Sequence, residues 1–244
     1  MKLVQLNVWW GGKLTKDILN FLKDEDADIL CLQEAVSLNK PDPALFLHIE
    51  AIQRDLDYQS AVFGGAFSFK FMEGKARFGN AVLSKEPIKR SEVIYTNLEH
   101  KDNFDFNTHD YNVRNLVHAE VIHSSKPVHV LTHHGHHIPD HKNGNADTYR
   151  QMQQIKEYID TLSGPVILTG DFNLSPKSES LELLNNSLTN LCATNNLTTT
   201  RTNLTDKVEV CDYIFVNNQV KVNKFYASDK VVSDHQALIL DCDL

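Results

Sequence analysis

The stretch VILTGDFN (166–173) decides the fold, because it joins a buried strand to a polar site. Its first half is typical of a core β-strand, and Asp171 and Asn173 follow directly where that strand ends. A charge at the border of a core is expensive unless another group compensates it. The segment therefore predicts a chemically active edge at the end of a central strand.

Four further segments repeat this arrangement along the chain. They are LVQLNVWWG (3–11) with Asn7, DILCLQE (28–34) with Glu34, CDYIFV (211–216) with Asp212, and VVSDHQALIL (231–240) with Asp234 and His235. Carboxylates gathered at neighbouring strand ends require a cation, and oxygen ligands without thiolates suit a hard ion, so we expect Mg²⁺, with Mn²⁺ as a substitute. Such sites hold phosphate oxygens, and the His and Asn members supply proton transfer and hydrogen bonds. The pattern favours phosphoester hydrolysis.

Length and composition indicate a globular protein. The 244 residues are 41% hydrophobic and 23% charged, which is ample for a core of two packed sheets. Because the motifs run from position 7 to 235 without a linker, we expect a single domain over residues 1–244. The net charge of −8 disfavours a protein that binds nucleic acid over a long tract, although a short or metal-bridged contact stays open. No membrane span and no obligate protein partner are predicted.

Cysteine usage and the chain's first residues bear on its compartment. The four cysteines lie far apart and lack the CxxC spacing of zinc or redox sites. The apolar start, MKLVQLNVWWGG, alternates like a strand rather than forming the apolar run of a signal peptide. We therefore expect reduced, buried thiols in a cytoplasmic protein.

Periodicity predicts strands and helices in mixed order. The predicted elements are a strand at 2–9, a helix after Gly11-Gly12, a strand ending at Glu34, a helix at 44–55, a strand meander from Tyr58 to Tyr95, a rim loop at 97–112, strands at 114–122 and 127–132, helices at 146–162 and 177–185, and strands at 209–216, 220–227 and 235–241. Strands outnumber helices. We expect an α/β (α+β) fold, a four-layer sandwich of two packed mixed β-sheets flanked by helices, with the site at one strand edge.

Taken in order, the motifs resemble those of the endonuclease/exonuclease/phosphatase superfamily over nearly the whole chain. LNVWWG resembles its opening Asn motif, ADILCLQE its metal-binding Glu motif, FGNAVLSKEPI its central strand, GDFN its Asp-x-Asn motif and SDH its closing motif. The resemblance implies a magnesium-dependent phosphoesterase that cleaves phosphodiesters of nucleic acid or nucleotides by in-line attack of water. The alternatives are a lipid or small-molecule phosphodiesterase or phosphatase, and a non-catalytic binding module on the same fold.

The resemblance also implies roles for the site residues. Glu34 ligates magnesium, Asp234 lies near it, and Asn7 either ligates the ion or fixes Glu34. Asp171 orients and deprotonates the attacking water, while Asn173 hydrogen-bonds the phosphate. His235 either hydrogen-bonds a phosphate oxygen or serves as base, and Asp212 holds its other ring nitrogen.

The segment HVLTHHGHH (129–137) offers two candidates for one further site histidine. Matching TH to the family pattern selects His133, and matching HG, as in a bacterial branch of the family with His-Gly at this point, selects His134. We prefer His134, because the residues Asn145, Thr148, Arg150 and Gln153 resemble the same branch of the family. Alternate strand residues face opposite ways, so both histidines cannot serve equally.

Three other features admit two interpretations each. The histidine cluster that also includes His129, His136, His137 and His141 could bind zinc, although we expect most of it at the solvent edge of a loop. Arg114 and Arg150 either reach phosphate or form structural ion pairs. Trp9 and Trp10 either stack on a base or lipid chain, or one packs in the core while the other shields the loop, which we favour.

Overall fold

Two six-stranded β-sheets form the centre of the fold. The computed structural model describes residues 1–40 and 47–244. The first sheet has the order β11 (Lys221–Ala227), β12 (Leu238–Asp243), β1 (Lys2–Asn7), β2 (Ile29–Leu38), β4 (Gly74–Ser84) and β3 (Ser60–Phe71). The second has the order β5 (Ile88–Asn97), β6 (Arg114–His123), β7 (Lys126–His134), β8 (Val166–Asp171), β10 (Asp212–Val216) and β9 (Thr189–Asn190). Both sheets are mixed, as predicted.

Helices cover the outer faces of the two sheets. Those in the described residues are α1 (Thr15–Glu25), α2 (Ile49–Leu56), α3 (Ala146–Ile159), α4 (Glu179–Asn185) and α5 (Leu191–Thr194), with a 3₁₀ turn at Phe106–Thr108. Ile18 and Ile52 of the first two helices pack on the outer face of the first sheet, whereas Met152 and Leu181 belong to the cluster around the second. The predicted four-layer sandwich is therefore confirmed.

Parallel strand pairs set the position of the polar edge. β1 runs parallel to β2, and β7 runs parallel to β8, so the carboxyl ends of these strands meet at one edge of each sheet. In the second sheet Asp171 lies opposite His134 on one side and Asp212 on the other. Three polar strand ends thus become neighbours because of pairing register alone.

Several predicted boundaries differ from the structure. β2 does not end at Glu34 but continues to Leu38, because a register shift between Leu32 and Ala35 lets the strand pass through that residue. The stretch 58–95 is not one meander, since β5 pairs with β6 in the second sheet. The helix predicted at 44–55 begins at Ile49 in the structure, and residues 44–46 lie outside the described part.

Other expectations from the sequence concern cysteines and the membrane. Cys31, Cys192, Cys211 and Cys242 are all buried and free. None of the helices in residues 1–40 and 47–244 is long and apolar enough to cross a membrane. The short elements β9 and α5 were not predicted, because they are too brief to show periodicity.

Gly170, next to Asp171, provides a test of the close approach between β7 and β8. Its φ is 147°, and an added Cβ would lie 2.0 Å from the His133 carbonyl oxygen. We expect Gly170→Ala to lower the free energy of unfolding by roughly 3 kcal/mol or more, since strain and a backbone clash add. Gly164→Ala is the matched control, because φ there is 115° but nothing lies within 4 Å. If chemical denaturation showed the same loss of unfolding free energy in both variants, a steric role for Gly170 would be contradicted.

Candidate active site

A cavity of about 390 Å³ opens at the polar edge of the two sheets. Among the residues named from the sequence, its lining includes Glu34, His134, Asp171, Asn173, Asp234 and His235. Asn7 and Asp212 lie behind this lining and hydrogen-bond to it. The structure therefore brings residues from both ends of the chain into one site.

The Glu34 side chain is aimed by a bulge in β2. Glu34 has a φ of 56°, and the register shift around it turns its side chain out of the strand's alternation. Its Oε2 accepts a hydrogen bond from the Trp10 backbone nitrogen at 2.7 Å, and its Oε1 accepts one from Asn7 Nδ2 at 3.2 Å. Burial raises the pKa of Glu34, and the Asp171 charge adds to this effect despite opposing hydrogen bonds. A cation beside Glu34 would stabilise the charged form of the carboxylate, which burial disfavours.

The Asn7 side chain donates hydrogen bonds to two carboxylates, and its amide oxygen is already bonded to the backbone. Its Oδ1 accepts from the Trp9 backbone nitrogen at 3.0 Å, which fixes the orientation of the amide. Its Nδ2 faces both Glu34 Oε1 at 3.2 Å and Asp171 Oδ2 at 3.1 Å. Of the two roles expected for Asn7, the geometry favours fixing Glu34 over ligating an ion.

Asp171 is buried among basic side chains of the site. Burial alone would raise its pKa, but the nearby charges, above all His235, hold the pKa well below its usual range. His235 Nε2 lies 3.6 Å and His134 Nε2 3.8 Å from Asp171 Oδ2. Its other oxygen accepts from the Asn173 backbone nitrogen at 2.9 Å. These charges thus favour the ionised form of Asp171.

His235 and Asp212 form a buried pair. His235 Nδ1 lies 2.8 Å from Asp212 Oδ2, so that Nε2 faces Asp171 and the cavity. Asp212 also accepts from Thr200 Oγ1 at 2.7 Å and from Gln5 Nε2 at 3.2 Å. Burial lowers the pKa of His235, but the carboxylates of Asp212 and Asp171 outweigh it and raise the pKa above its ordinary value.

The donor set at this edge fits a hard cation. Within the described residues, the only group of three His, Cys, Asp or Glu ligand atoms all within 4.8 Å is Asp171, Asp212 and His235. Asp212 is a poor ligand there, because hydrogen bonds already occupy both of its oxygens. Glu34 and Asp234 provide the carboxylate oxygens that line the cavity nearby.

The two candidate histidines of β7 occupy different places. His134 lines the cavity, and burial together with Arg114 holds its pKa well below the ordinary value, so the imidazole is neutral. His133 is fully buried away from the cavity lining, with Nδ1 3.0 Å from the Asn115 carbonyl oxygen. Burial lowers the pKa of His133 to about 4. Histidines of the 129–141 cluster form no three-ligand group in the described part of the chain, which argues against zinc there.

Several basic side chains at the site were not identified from sequence. Arg201 and Lys207 line the cavity, and Lys142 Nζ donates to Asn173 Oδ1 at 2.8 Å. Burial lowers the pKa of Lys142, although the charge of Asp171 opposes this. These residues lie in polar loops without a motif, and only the fold brings them to the strand ends. No sequence pattern could have identified them.

The two arginines that the sequence could not separate differ in the structure. Arg114 is buried, lines the cavity and donates from Nη2 to Asn112 Oδ1 at 3.3 Å. Burial lowers its pKa to about 10, against the charges of Glu34 and Asp171. Arg150 is exposed and pairs with Asp147 at 2.8 Å on α3. Arg114 is therefore available to the cavity, and Arg150 is not.

An aromatic wall, formed by Trp10, Phe78 and Tyr111, lines the cavity. Trp10 is 41% exposed, and its ring centroid lies 5.2 Å from that of Phe78 and 5.3 Å from that of Tyr111. Trp9 also lines the cavity, with Lys13 Nζ 4.1 Å from its ring centroid. Neither tryptophan packs in the core, contrary to the interpretation favoured from the sequence.

Comparison with known proteins assigns the family. The model of the Endonuclease/Exonuclease/phosphatase family matches residues 4–235. The chain belongs to this family. Its members hydrolyse phosphoester bonds with the help of a metal ion, so the protein is an enzyme of that class. No curated protein matches the chain by sequence.

Solved structures of low sequence identity share the fold. A family protein from Leptotrichia buccalis is 18% identical with a TM-score of 0.71, and the alignment covers 100% of both chains. A mannosyl-6-phosphatase from Bacteroides thetaiotaomicron is 16% identical with a TM-score of 0.70, again over 100% of both chains. D. rerio TDP2 complexed with single-strand DNA product is 16% identical with a TM-score of 0.68, over 100% of this chain and 99% of that one.

Proposed function

We propose that this protein is a magnesium-dependent phosphodiesterase that acts on nucleic acid or nucleotides by in-line attack of water. The observation that carries the proposal is the buried His235–Asp212 pair beside Asp171. His235 Nδ1 lies 2.8 Å from Asp212 Oδ2, and His235 Nε2 lies 3.6 Å from Asp171 Oδ2. A structural ion pair would not require a third buried carboxylate at the mouth of a cavity. Water activation and phosphate binding require such an arrangement.

In this reaction Asp171 accepts the proton of the attacking water. Because its lowered pKa favours the ionised form, Asp171 accepts a hydrogen bond from the water and takes up its proton as the new P–O bond forms. The P–O bond opposite the attacking water breaks, and the leaving oxygen departs with its electron pair. His235 is held by Asp212 with Nε2 towards the cavity, where this nitrogen hydrogen-bonds a non-bridging phosphate oxygen. Asn173, fixed by Lys142, and His134 complete the polar contacts to the phosphoryl group.

We assign the metal ion to Glu34 and Asp234, with Asn7 fixing Glu34. Support comes from the carboxylate oxygens of both residues at the cavity and from the raised pKa of Glu34, a consequence of its burial that a cation would offset. Magnesium, when bound, would neutralise charge on the phosphoryl and leaving oxygens. His133 is outside this assignment, because it does not line the cavity.

A nucleotide is the substrate class that the aromatic wall favours. Exposed aromatic rings stack on bases regardless of base identity. A cavity of about 390 Å³ and a net charge of −8 favour a short substrate over a long duplex. The TDP2 structure holds single-strand DNA product on the same fold. A phosphorylated sugar or other small phosphoester is the second candidate, favoured by the mannosyl-6-phosphatase neighbour.

We also propose that residues 1–244 are one domain and that the protein is cytoplasmic. The first proposal is supported by Asn7 and His235, which reach the same carboxylate, Asp171, from opposite ends of the chain. The second is supported by the free, buried state of all four cysteines, which suits a reducing compartment.

A substrate panel tests the proposed reaction. The panel contains bis(p-nitrophenyl) phosphate, single- and double-stranded DNA, RNA, sphingomyelin and phosphomonoesters, each with Mg²⁺, Mn²⁺ or chelator. We expect metal-dependent cleavage of nucleotide diesters, and a loss on the order of 10³-fold in kcat for Asp171→Ala with an unchanged circular dichroism spectrum. The proposal would be contradicted if the wild type hydrolysed no member of the panel, or if Asp171→Ala retained full activity.

Glu34→Ala tests the metal assignment. We expect this variant to need at least about 10-fold more Mg²⁺ for half-maximal activity, because it lacks a direct carboxylate ligand. The rise in melting temperature that Mg²⁺ gives the wild type should shrink in parallel. Glu157→Ala, on the exposed face of α3, is the control. An identical Mg²⁺ dependence in Glu34→Ala and wild type would refute the assignment.

Trp10→Ala distinguishes the two substrate classes. Loss of base stacking is worth about 1–3 kcal/mol, so we expect KM for a dinucleotide to rise roughly 5- to 100-fold. KM for a sugar phosphate, which has no planar ring, should change little. Trp10→Phe retains a ring and serves as the conservative control. An unchanged KM for the dinucleotide would favour the small phosphoester as substrate.

A further inference from the structure

Arg201 is a buried cation at the centre of the site that the proposed reaction has not used. It is 6% exposed and lines the cavity together with His235 and Asp234. Its Nη1 contacts His235 Nε2, the atom assigned above to a phosphate oxygen. Any phosphate oxygen that reaches this nitrogen is therefore also within reach of the guanidinium.

The backbone holds Arg201 beside His235. The two residues form an isolated antiparallel bridge, which places their side chains on the same side of the paired segments. Hydrogen bonds on both flanks fix this register, from the Thr202 nitrogen to the Asp234 oxygen at 3.1 Å and from the Gln236 nitrogen to the Thr200 oxygen at 2.8 Å. The position of Arg201 is thus set by main-chain pairing and not by a surface ion pair.

The hydrogen-bonding capacity of Arg201 is incompletely used by the protein. Its Nε has no hydrogen-bond partner among the described residues, and its nearest carboxylate contact is Nη1 to Asp234 Oδ2 at 4.0 Å. Burial lowers the pKa of Arg201, but the charges of Asp171 and Asp212 outweigh it and raise the pKa, so the charge of Arg201 is compensated while Nε keeps a free N–H. An arginine fork matches the oxygens of a phosphate. The arrangement therefore suits an anion in the cavity.

Arg150 and Arg114 compare differently with Arg201. Arg150 is exposed and paired with Asp147, so its charge is satisfied by solvent and by that carboxylate. Arg114 shares the features of Arg201, since it lines the cavity and its buried Nε also has no partner in the described part of the chain. The two buried guanidinium groups are the arginines that the cavity offers to an anionic ligand.

We propose that Arg201 is a phosphate-binding residue that holds a non-bridging phosphate oxygen beside His235, an inference that rests on the proposed function. The bound group is the phosphoryl moiety of the substrate, and inorganic phosphate is its simplest mimic. Arginine supplies two parallel N–H groups for such a contact, which lysine cannot reproduce.

Phosphate inhibition and kinetics of Arg201 variants test this role. For Arg201→Gln we expect inorganic phosphate to inhibit hydrolysis of bis(p-nitrophenyl) phosphate about 10- to 100-fold more weakly, with a parallel rise in KM. Arg201→Lys keeps the charge without the fork and should fall in between. Arg150→Gln, the same change at an exposed arginine, should match the wild type. Added guanidinium ion should partly restore KM in Arg201→Ala.

The outcomes separate this inference from the proposed function. If Arg201→Gln folds and retains the wild-type KM and phosphate inhibition, the inference is overturned. If Arg201→Gln does not fold, Arg201→Lys decides in the same way, because wild-type values in that variant would also overturn it. If the wild type hydrolyses nothing, calorimetric titration of phosphate still tests Arg201, and phosphate binding that weakens in Arg201→Gln would support the inference while the hydrolase proposal fails.

Discussion

The rest of the site depends on one hydrogen-bonding arrangement, in which the Asn7 amide stands between carboxylates from two different sheets. Its Nδ2 lies 3.2 Å from Glu34 Oε1 and 3.1 Å from Asp171 Oδ2. Two carboxylates held this close cannot ionise independently, and the first to lose its proton makes the second harder to ionise. Burial raises the pKa of both, but His235 and its neighbours lower that of Asp171, which leaves Glu34 with the raised pKa. Of the two carboxylates, Glu34 is consequently the one whose charged form a bound cation would stabilise most.

Division of charge between the two sides of the cavity follows from this arrangement. Asp171 faces His134 at the end of β7 and His235 in the segment before β12, and these and further basic side chains favour its ionised form, which suits contact with water. Glu34 faces the first sheet, where its contacts are a backbone nitrogen and the Asn7 amide. A metal ion at Glu34 and an anion at Arg201 would then bind on different sides of one cavity. Burial disfavours the charged form of Glu34, and Arg201 keeps a buried Nε without a hydrogen-bond partner in the described part of the chain.

The sequence was informative wherever a residue lies at the end of an apolar strand. The periodicity of the apolar runs predicted the two-sheet sandwich. Motifs such as those around Asp171 and Glu34 predicted the edge that carries the polar residues, because strand direction brings such ends together. Sequence patterns did not identify Arg201 and Lys142, because both lie in polar loops without a motif. The fold brings them to the site through contacts with residues that are distant in sequence. The choice between His133 and His134 also required the register of β7, because neighbouring strand positions differ in the face they present and not in composition.

Backbone strain at the cavity explains why β2 was predicted to end too early. Glu34 and Asn173 have φ values of 56° and 54°, and Trp9 and Trp10 have 59° and 48°, a region that ordinary side chains avoid. Each such residue costs on the order of 1–3 kcal/mol, so surrounding contacts must hold it in place. At Glu34 those contacts are the hydrogen bonds from the Trp10 nitrogen to its carboxylate and from the Gly11 nitrogen to its carbonyl. The conformation that aims the carboxylate is therefore a property of two distant segments together, and local periodicity, which treats each segment alone, places a strand end where the fold places a bulge.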